Sequence, residues 1–315
     1  MAGRWAVKAH DSMNSRVEEY LRCRRSLGYK LHVEGGMLRG FAKFADGSGH
    51  RGAVTCELAT RWARMPEKAD RLYWARRIEV LIGFARYCQA FDPLTEIPPR
   101  HVFGAAHRRK PPYLYSAKQL GDLASEGHEA DSNAGFRQLT HATLFGLLAC
   151  TGLRISEALA LLIEDVDLKR GLIVVRESKS RDSRLIPLHP TARARLVGYA
   201  AKRHQRFPRA GWFFVSGSGR NLPYSTVRSV FRDLTLRLGW CRDGVRPRLH
   251  DLRHTFACRV LQKWQRVSTR LKEERIDWLS RYLGHENVSD TYWYLTATPE
   301  LLASAMARFK HPTEK

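Results

Sequence analysis

Five prolines, Pro93, Pro98, Pro99, Pro111 and Pro112, fall in the segment FDPLTEIPPRHVFGAAHRRKPPYLY. Each fixes φ, removes a backbone donor and pushes the preceding residue towards extended backbone, so no regular helix can run through this stretch. The chain must fold as two bodies joined by a linker, placed at about 97–112. With 315 residues in all, each body falls near the ordinary domain size of ~100 to 200 residues and has room for its own core. The expected division is a helical domain over 1–102 and a second domain over 103–315.

On the amino-terminal side, 14–89 is helical in character, with Met37, Phe41 and Phe44, then Leu81, Phe84 and Cys88, at helical intervals. Arg71, Arg76, Arg77 and Arg86 surround the apolar face of 71–90. A solvated face explains any one of them; their accumulation points to an anionic partner. Beyond the linker, LTHATLFGLLAC reads as an apolar helix closed by Thr151 and Gly152, and ISEALALL as a second helical segment. The β-rich runs 172–175 and 185–188, joined by SKSRDSR, predict an antiparallel hairpin. Val227, Val230, Phe231, Leu234 and Leu238 mark an amphipathic helix. The expected fold is mainly α with a small antiparallel β-sheet, the second domain being α+β.

Lys and Arg number 54 against 31 Asp and Glu, a formal charge of +23, and the basic residues recur from Arg4 to Lys310. Such a chain suits a polyanion better than a small neutral substrate, although charge alone does not separate DNA from RNA or from an anionic membrane. The signatures of common RNA-binding modules are absent. No apolar run of spanning length occurs and MAGRWAVKAHDS has no apolar signal core, so a soluble cytoplasmic protein is expected. Six dispersed cysteines, without C-x-x-C or zinc-ligand spacing, read as reduced and mostly buried. No metal or other cofactor is expected.

Three motifs carry chemistry. TGLRISEALAL puts Arg154 just past a glycine turn, where its guanidinium can reach a ligand or pair with Glu157 or Glu164. HDLRHTFA sets His250 and Arg253 three apart on one face of a helix start, whose free amides favour a phosphate. LGHENVSDTYWYL presents His285 on a glycine turn, ahead of a short helix from about Ser289 carrying Tyr292 and Tyr294. At ~100° per residue the two tyrosines point about 200° apart. Val288, Tyr292 and Leu295 share a face, which assigns Tyr292 to the core and leaves Tyr294 for chemistry.

In order and spacing these motifs closely resemble the tyrosine recombinase or phage integrase family. The resemblance covers 113–310, and the amino-terminal part looks like the family's helical core-binding domain. The family's hairpin lysine, eight positions before a proline, is matched by Lys179, with Arg184, Pro187 and Leu188 following. The connection QKWQRVSTRLKEERIDW is longer than the family pattern.

The resemblance implies a two-domain clamp on double-stranded DNA carrying inverted-repeat sites, a homotetramer on synapsed DNA, and a role in a mobile element. Its implied catalytic set is Arg154, Lys179, His250, Arg253, His285 and Tyr294. In that scheme Tyr294 forms a 3'-phosphotyrosine, with His250 as base and Lys179 as acid. A type IB topoisomerase, where a lysine usually stands at the position of His250, and a non-catalytic DNA-binding accessory protein are the competing readings. PELLASAMARFK, 299–310, is expected to be an assembly helix with the stripe Leu301, Leu302, Ala305, Met306 and Phe309.

Overall fold

The computed structural model describes residues 12–107, 111–125, 133–176, 183–241, 244–264, 269–285 and 287–296. Lys179 and the segment 299–310 lie outside them. Two compact units meet at Lys110 and Pro111. Phe103 is buried and packs edge-on against Trp74, so the residues just before this break belong with the first unit.

Among the described residues, four helices build the first unit: α1 (Met13–Ser26), α2 (His32–Gly47), α3 (Cys56–Arg64) and α4 (Arg71–Gln89). Ser12, Thr55 and Asp70 each accept an otherwise orphaned amide at a helix start, which fixes where α1, α3 and α4 begin. Val17, Leu21, Phe41, Leu81 and Phe84 are fully buried between them. Each such side chain contributes roughly 1.5–3 kcal/mol of burial, so the expected helical pattern does hold a core. Among the arginines of α4, Arg71, Arg76 and Arg86 are exposed. Arg77 is not: it is buried, with its guanidinium 3.7 Å from the centre of the Trp62 ring.

The second unit runs through α5 (Ala117–Ser125), α6 (Asn133–Thr151), α7 (Ile155–Leu159), β1 (Val166–Asp167), β2 (Leu172–Val175), β3 (Arg184–Pro187), α8 (Pro190–Arg206), α9 (Tyr224–Arg237), α10 (His250–Trp264), α11 (Thr269–Leu283) and α12 (Ser289–Tyr292). The three strands form one antiparallel sheet in the order β1-β2-β3, with Ile173 opposite Ile186 and Val175 opposite Arg184. Ile173, Val175 and Ile186 face the core while Leu185 faces out, the period-two alternation of a half-buried sheet. Phe136, Phe145, Tyr199, Phe214 and Phe231 fill the main core beneath it. A separate cluster of Ala257, Cys258, Leu261, Ile276, Leu279, Leu283 and Tyr294 joins α10, α11 and the end of the described chain.

The six cysteines are all free, but only Cys88 and Cys258 are buried; Cys150 is exposed and the others are half-buried. The expectation of mostly buried thiols fails because several sit on the rims of helices. Among the described residues, no helix is long and apolar enough to cross a membrane.

Candidate active site

The site is organised around the end of α11. A Schellman turn closes this helix: the Gly284 amide donates to the Arg281 carbonyl and the His285 amide to that of Ser280, each at 3.0 Å. Gly284 has φ +67°, which a side chain would strain, and an added Cβ would lie 2.7 Å from Arg184 Nη1. The next three carbonyls each accept from a different arginine. Arg184 Nε donates to Tyr282 (2.8 Å), Arg253 Nη2 to Leu283 (2.6 Å) and Arg154 Nη2 to Gly284 (2.5 Å). Cations at the negative end of the helix dipole thus satisfy groups that helix geometry leaves unpaired.

Arg154 follows the turn at Gly152, where φ is +66° and a Cβ would meet Phe256 at 2.5 Å. Glu157 reaches back to the Arg154 amide (2.9 Å) and accepts from Arg154 Nη1 (2.8 Å). The same carboxylate accepts from Arg184 Nη2 at 2.7 Å. Burial works to raise the Glu157 pKa, but the contacts from Arg184 and Arg154 outweigh it and hold the group below the usual carboxylate range. The pairing of Arg154 with Glu157, weighed from the sequence as a structural role, is therefore present, while Glu164 pairs with Arg176. Arg154 still keeps 23% of its side chain exposed.

Arg253 is only 2% exposed. Its second fork arm donates to the Gly152 carbonyl at 2.9 Å, so one guanidinium ties the α6–α7 turn to the α11 turn. Burial, then Arg154, lowers its pKa to about 10, which leaves it charged at neutral pH.

His250 begins α10, as expected, and Arg253 follows one turn on. His250 keeps an exposed edge; its packing against the site, then Arg253, lowers its pKa. His285 is pushed to about 4 by burial, then by Arg253 and Arg154. Its Nδ1 shares a 2.7 Å hydrogen bond with the buried Thr291 hydroxyl, which fixes the ring. His254, a residue sequence reasoning passed over, touches the rings of His250 (4.6 Å), Trp293 (5.0 Å) and Tyr294 (5.3 Å). It sits four residues after His250, a spacing that could have flagged it.

The tyrosines are arranged opposite to the expected packing. Tyr292 is 45% exposed and Tyr294 is 3% exposed, in the cluster with Cys258 and Leu283. The helix from Ser289 lasts one turn and tightens to 3-10 geometry over Trp293–Thr296. The inward face is set by Thr291 and Tyr294, three apart and both buried, and Tyr292 is left exposed. Tyr294 nonetheless reaches the site: its ring stacks on that of His285 and meets that of His254 edge-on. Burial raises its pKa above 10, opposed by Arg253.

The structure therefore brings Arg154, Arg253, His285 and Tyr294 together, with His250 one ring away through His254. Lys179 lies outside the described residues. The strands flanking it are both anchored, β2 through Arg176 on Asp165 and Glu164, β3 through Arg184 on Glu157. Two guanidiniums on consecutive carbonyls of one turn, imidazoles whose pKa burial lowers and a buried phenol make a site suited to an oxyanion attacked by an oxygen nucleophile.

Comparison with known proteins agrees in extent. The phage integrase family model matches residues 128–300, a span containing all six candidate residues. The integrase/recombinase y4rB of Sinorhizobium fredii is 37% identical over 308 residues, covering 95% of this chain and 97% of that protein. Tyrosine recombinase XerD of Caulobacter vibrioides is 28% identical over 243 residues, 76% of this chain and 74% of that protein. Among solved structures, the Tn1549 transposon integrase in complex with transposon right end DNA has a TM-score of 0.69 at 16% identity, over 94% of this chain and 98% of that one. That likeness speaks for the fold, and the identity to y4rB, sustained along nearly the whole chain, speaks for descent: the chain belongs to the phage integrase family and is a tyrosine recombinase.

Proposed function

We propose that this recombinase cleaves and rejoins double-stranded DNA with Tyr294 as nucleophile. The observation that carries the reading is the stacking of the Tyr294 phenol on His285, directly after the turn whose carbonyls Arg253 and Arg154 hold. Tyr294 Oη attacks the scissile phosphorus and the bond to the 5'-oxygen breaks, leaving a 3'-phosphotyrosine. The phenolic proton passes to His250, which is neutral at pH 7 and able to accept it. The departing 5'-oxygen takes a proton from Lys179. Attack by a second 5'-hydroxyl reverses each step and reseals the strand without ATP.

Arg154 and Arg253 stabilise the charge that grows on the non-bridging oxygens, through forked contacts an ammonium cannot make. For this they must share donors now given to backbone carbonyls, or use their remaining N–H groups. His285 supplies a further donor. The exposed arginines of the first unit and the net charge of +23 supply phosphate contacts along the duplex. Solved neighbours include XerH bound to its difH substrate and a lambda integrase dimer bound to a core site. The family resemblance extends the proposal to a substrate site with inverted repeats in a mobile element and to a homotetramer on synapsed DNA as the working assembly.

A suicide substrate nicked near the cleavage point tests the reading. Wild-type protein and Tyr292→Phe should be trapped covalently, and Tyr294→Phe should bind the same DNA without trapping. Trapping by Tyr294→Phe, with loss in Tyr292→Phe, reverses the assignment.

A further inference from the structure

Arg184 has no part in the scheme above, yet it is nearly buried at the same turn. Its side chain is 11% exposed, and it makes contacts to two separate parts of the site. Nε holds the Tyr282 carbonyl of the turn that presents His285, and Nη2 holds the Glu157 carboxylate that also grips Arg154. Nη1 is buried without a partner and lies against Gly284, beside Arg154 Nη1. These partners are 98 and 27 positions away in the chain. Arg184 also closes the ladder opposite Val175, so it is fixed by the sheet.

We propose that Arg184 is a positioning residue for strand cleavage, acting through Glu157 on Arg154 and through the Tyr282 carbonyl on the turn that carries His285. The logic is geometric. Arg154 engages both oxygens of Glu157, Oε2 through its amide and Oε1 through Nη1, but these contacts tie it only to its own helix turn. Arg184 donates to Oε2 as well, and supplies a fixed point from the sheet. Removing it loosens both Arg154 and the His285 turn, while Arg253 keeps its own two carbonyls and the fold its main cores.

The proposal rests on the cleavage reaction proposed above, and the test separates the two. Single-turnover cleavage of a suicide substrate, half-site affinity and thermal unfolding are measured for wild type, Arg184→Ala, Arg184→Lys and Lys179→Ala. Cleavage is repeated on a substrate with a 5'-bridging phosphorothiolate, whose sulfur leaves without a proton. Arg184→Ala should bind DNA as wild type does and cleave ~100-fold more slowly, the loss typical of a displaced reacting group. Arg184→Lys, which can keep one contact, should fall between. The phosphorothiolate should rescue Lys179→Ala and leave Arg184→Ala slow, because the defect lies in phosphate stabilisation and not in leaving-group protonation. Three results overturn the proposal: wild-type cleavage by Arg184→Ala, a loss that merely follows affinity and unfolding temperature, or full phosphorothiolate rescue, which would place the effect on the Lys179 hairpin. Failure of wild-type protein to form any covalent adduct would instead remove the reaction itself, and the positioning role with it.

Discussion

The ring of Tyr294 lies over that of His285, centroids 5.9 Å apart and planes 28° from parallel. Stacking fixes the plane of the phenol and burial beside Cys258 and Leu283 holds the ring, so the candidate nucleophile is oriented in the DNA-free protein.

This burial should protect Tyr294 from reagents that attack exposed phenols. Nitration of DNA-free protein, followed by peptide mass analysis, should modify Tyr292 readily and spare Tyr294. Equal modification of both would mean that Tyr294 leaves its cluster in solution.

The histidines predict how stability depends on pH. His285 is depressed to about 4 by burial, then Arg253 and Arg154; His254 is depressed to about 3 by burial, then His250 and Arg248. In the unfolded chain both titrate near ~6.5. Below that value the unfolded chain binds protons the fold refuses, so stability present at neutral pH is lost as the pH falls towards the folded values. The unfolding temperature of wild type should drop between about pH 7 and about pH 5, and that of His254→Phe should drop less. Identical drops would assign the proton uptake to other groups.

Lysine at the two arginine positions should give different defects. Arg253→Lys leaves the buried Gly152 or Leu283 carbonyl unpaired, a cost of ~1–3 kcal/mol, so it should lose both stability and cleavage. Arg154→Lys, at a part-exposed site, should unfold near the wild-type temperature yet cleave poorly. Denaturant unfolding alongside suicide-substrate cleavage separates them. Normal cleavage by either variant would make its guanidinium structural only.

The candidate residues that the fold gathers were legible because their local signals are strong: Gly152 and Gly284 stand where the backbone needs positive φ, and Arg154 and His285 follow those turns within two residues. The hairpin was legible from its β-branched runs, but β1, only Val166–Asp167, carries no pattern of its own. The packing of Tyr292 and Tyr294 was misread because a continuous helix was assumed where one turn passes into 3-10 geometry, and because its docking face is chosen by α10 and His285. Glu157 was visible as a partner for Arg154; its second partner was not, since Arg184 reaches it only once the sheet is formed. Arg77 looked like its neighbours on α4 until the packing of Trp62 distinguished it.

That last distinction yields a test of how the first unit meets DNA. Arg71, Arg76 and Arg86 are exposed, whereas Arg77 spends its charge on the Trp62 ring at 3.7 Å. A desolvated pair of this kind contributes about 2 kcal/mol. Each exposed arginine that touches a phosphate releases counterions on binding, so its replacement by glutamine should weaken affinity on every sequence alike and reduce the slope of log affinity against log salt by ~1. Arg77→Gln should instead lower the unfolding temperature and leave the salt slope unchanged. Affinity for a half-site, measured over a range of salt for the four single variants, reads both effects. A reduced slope for Arg77→Gln, with unchanged slopes for the other three, would show that the duplex draws Arg77 out of the core and that the exposed arginines are ordinary solvated groups.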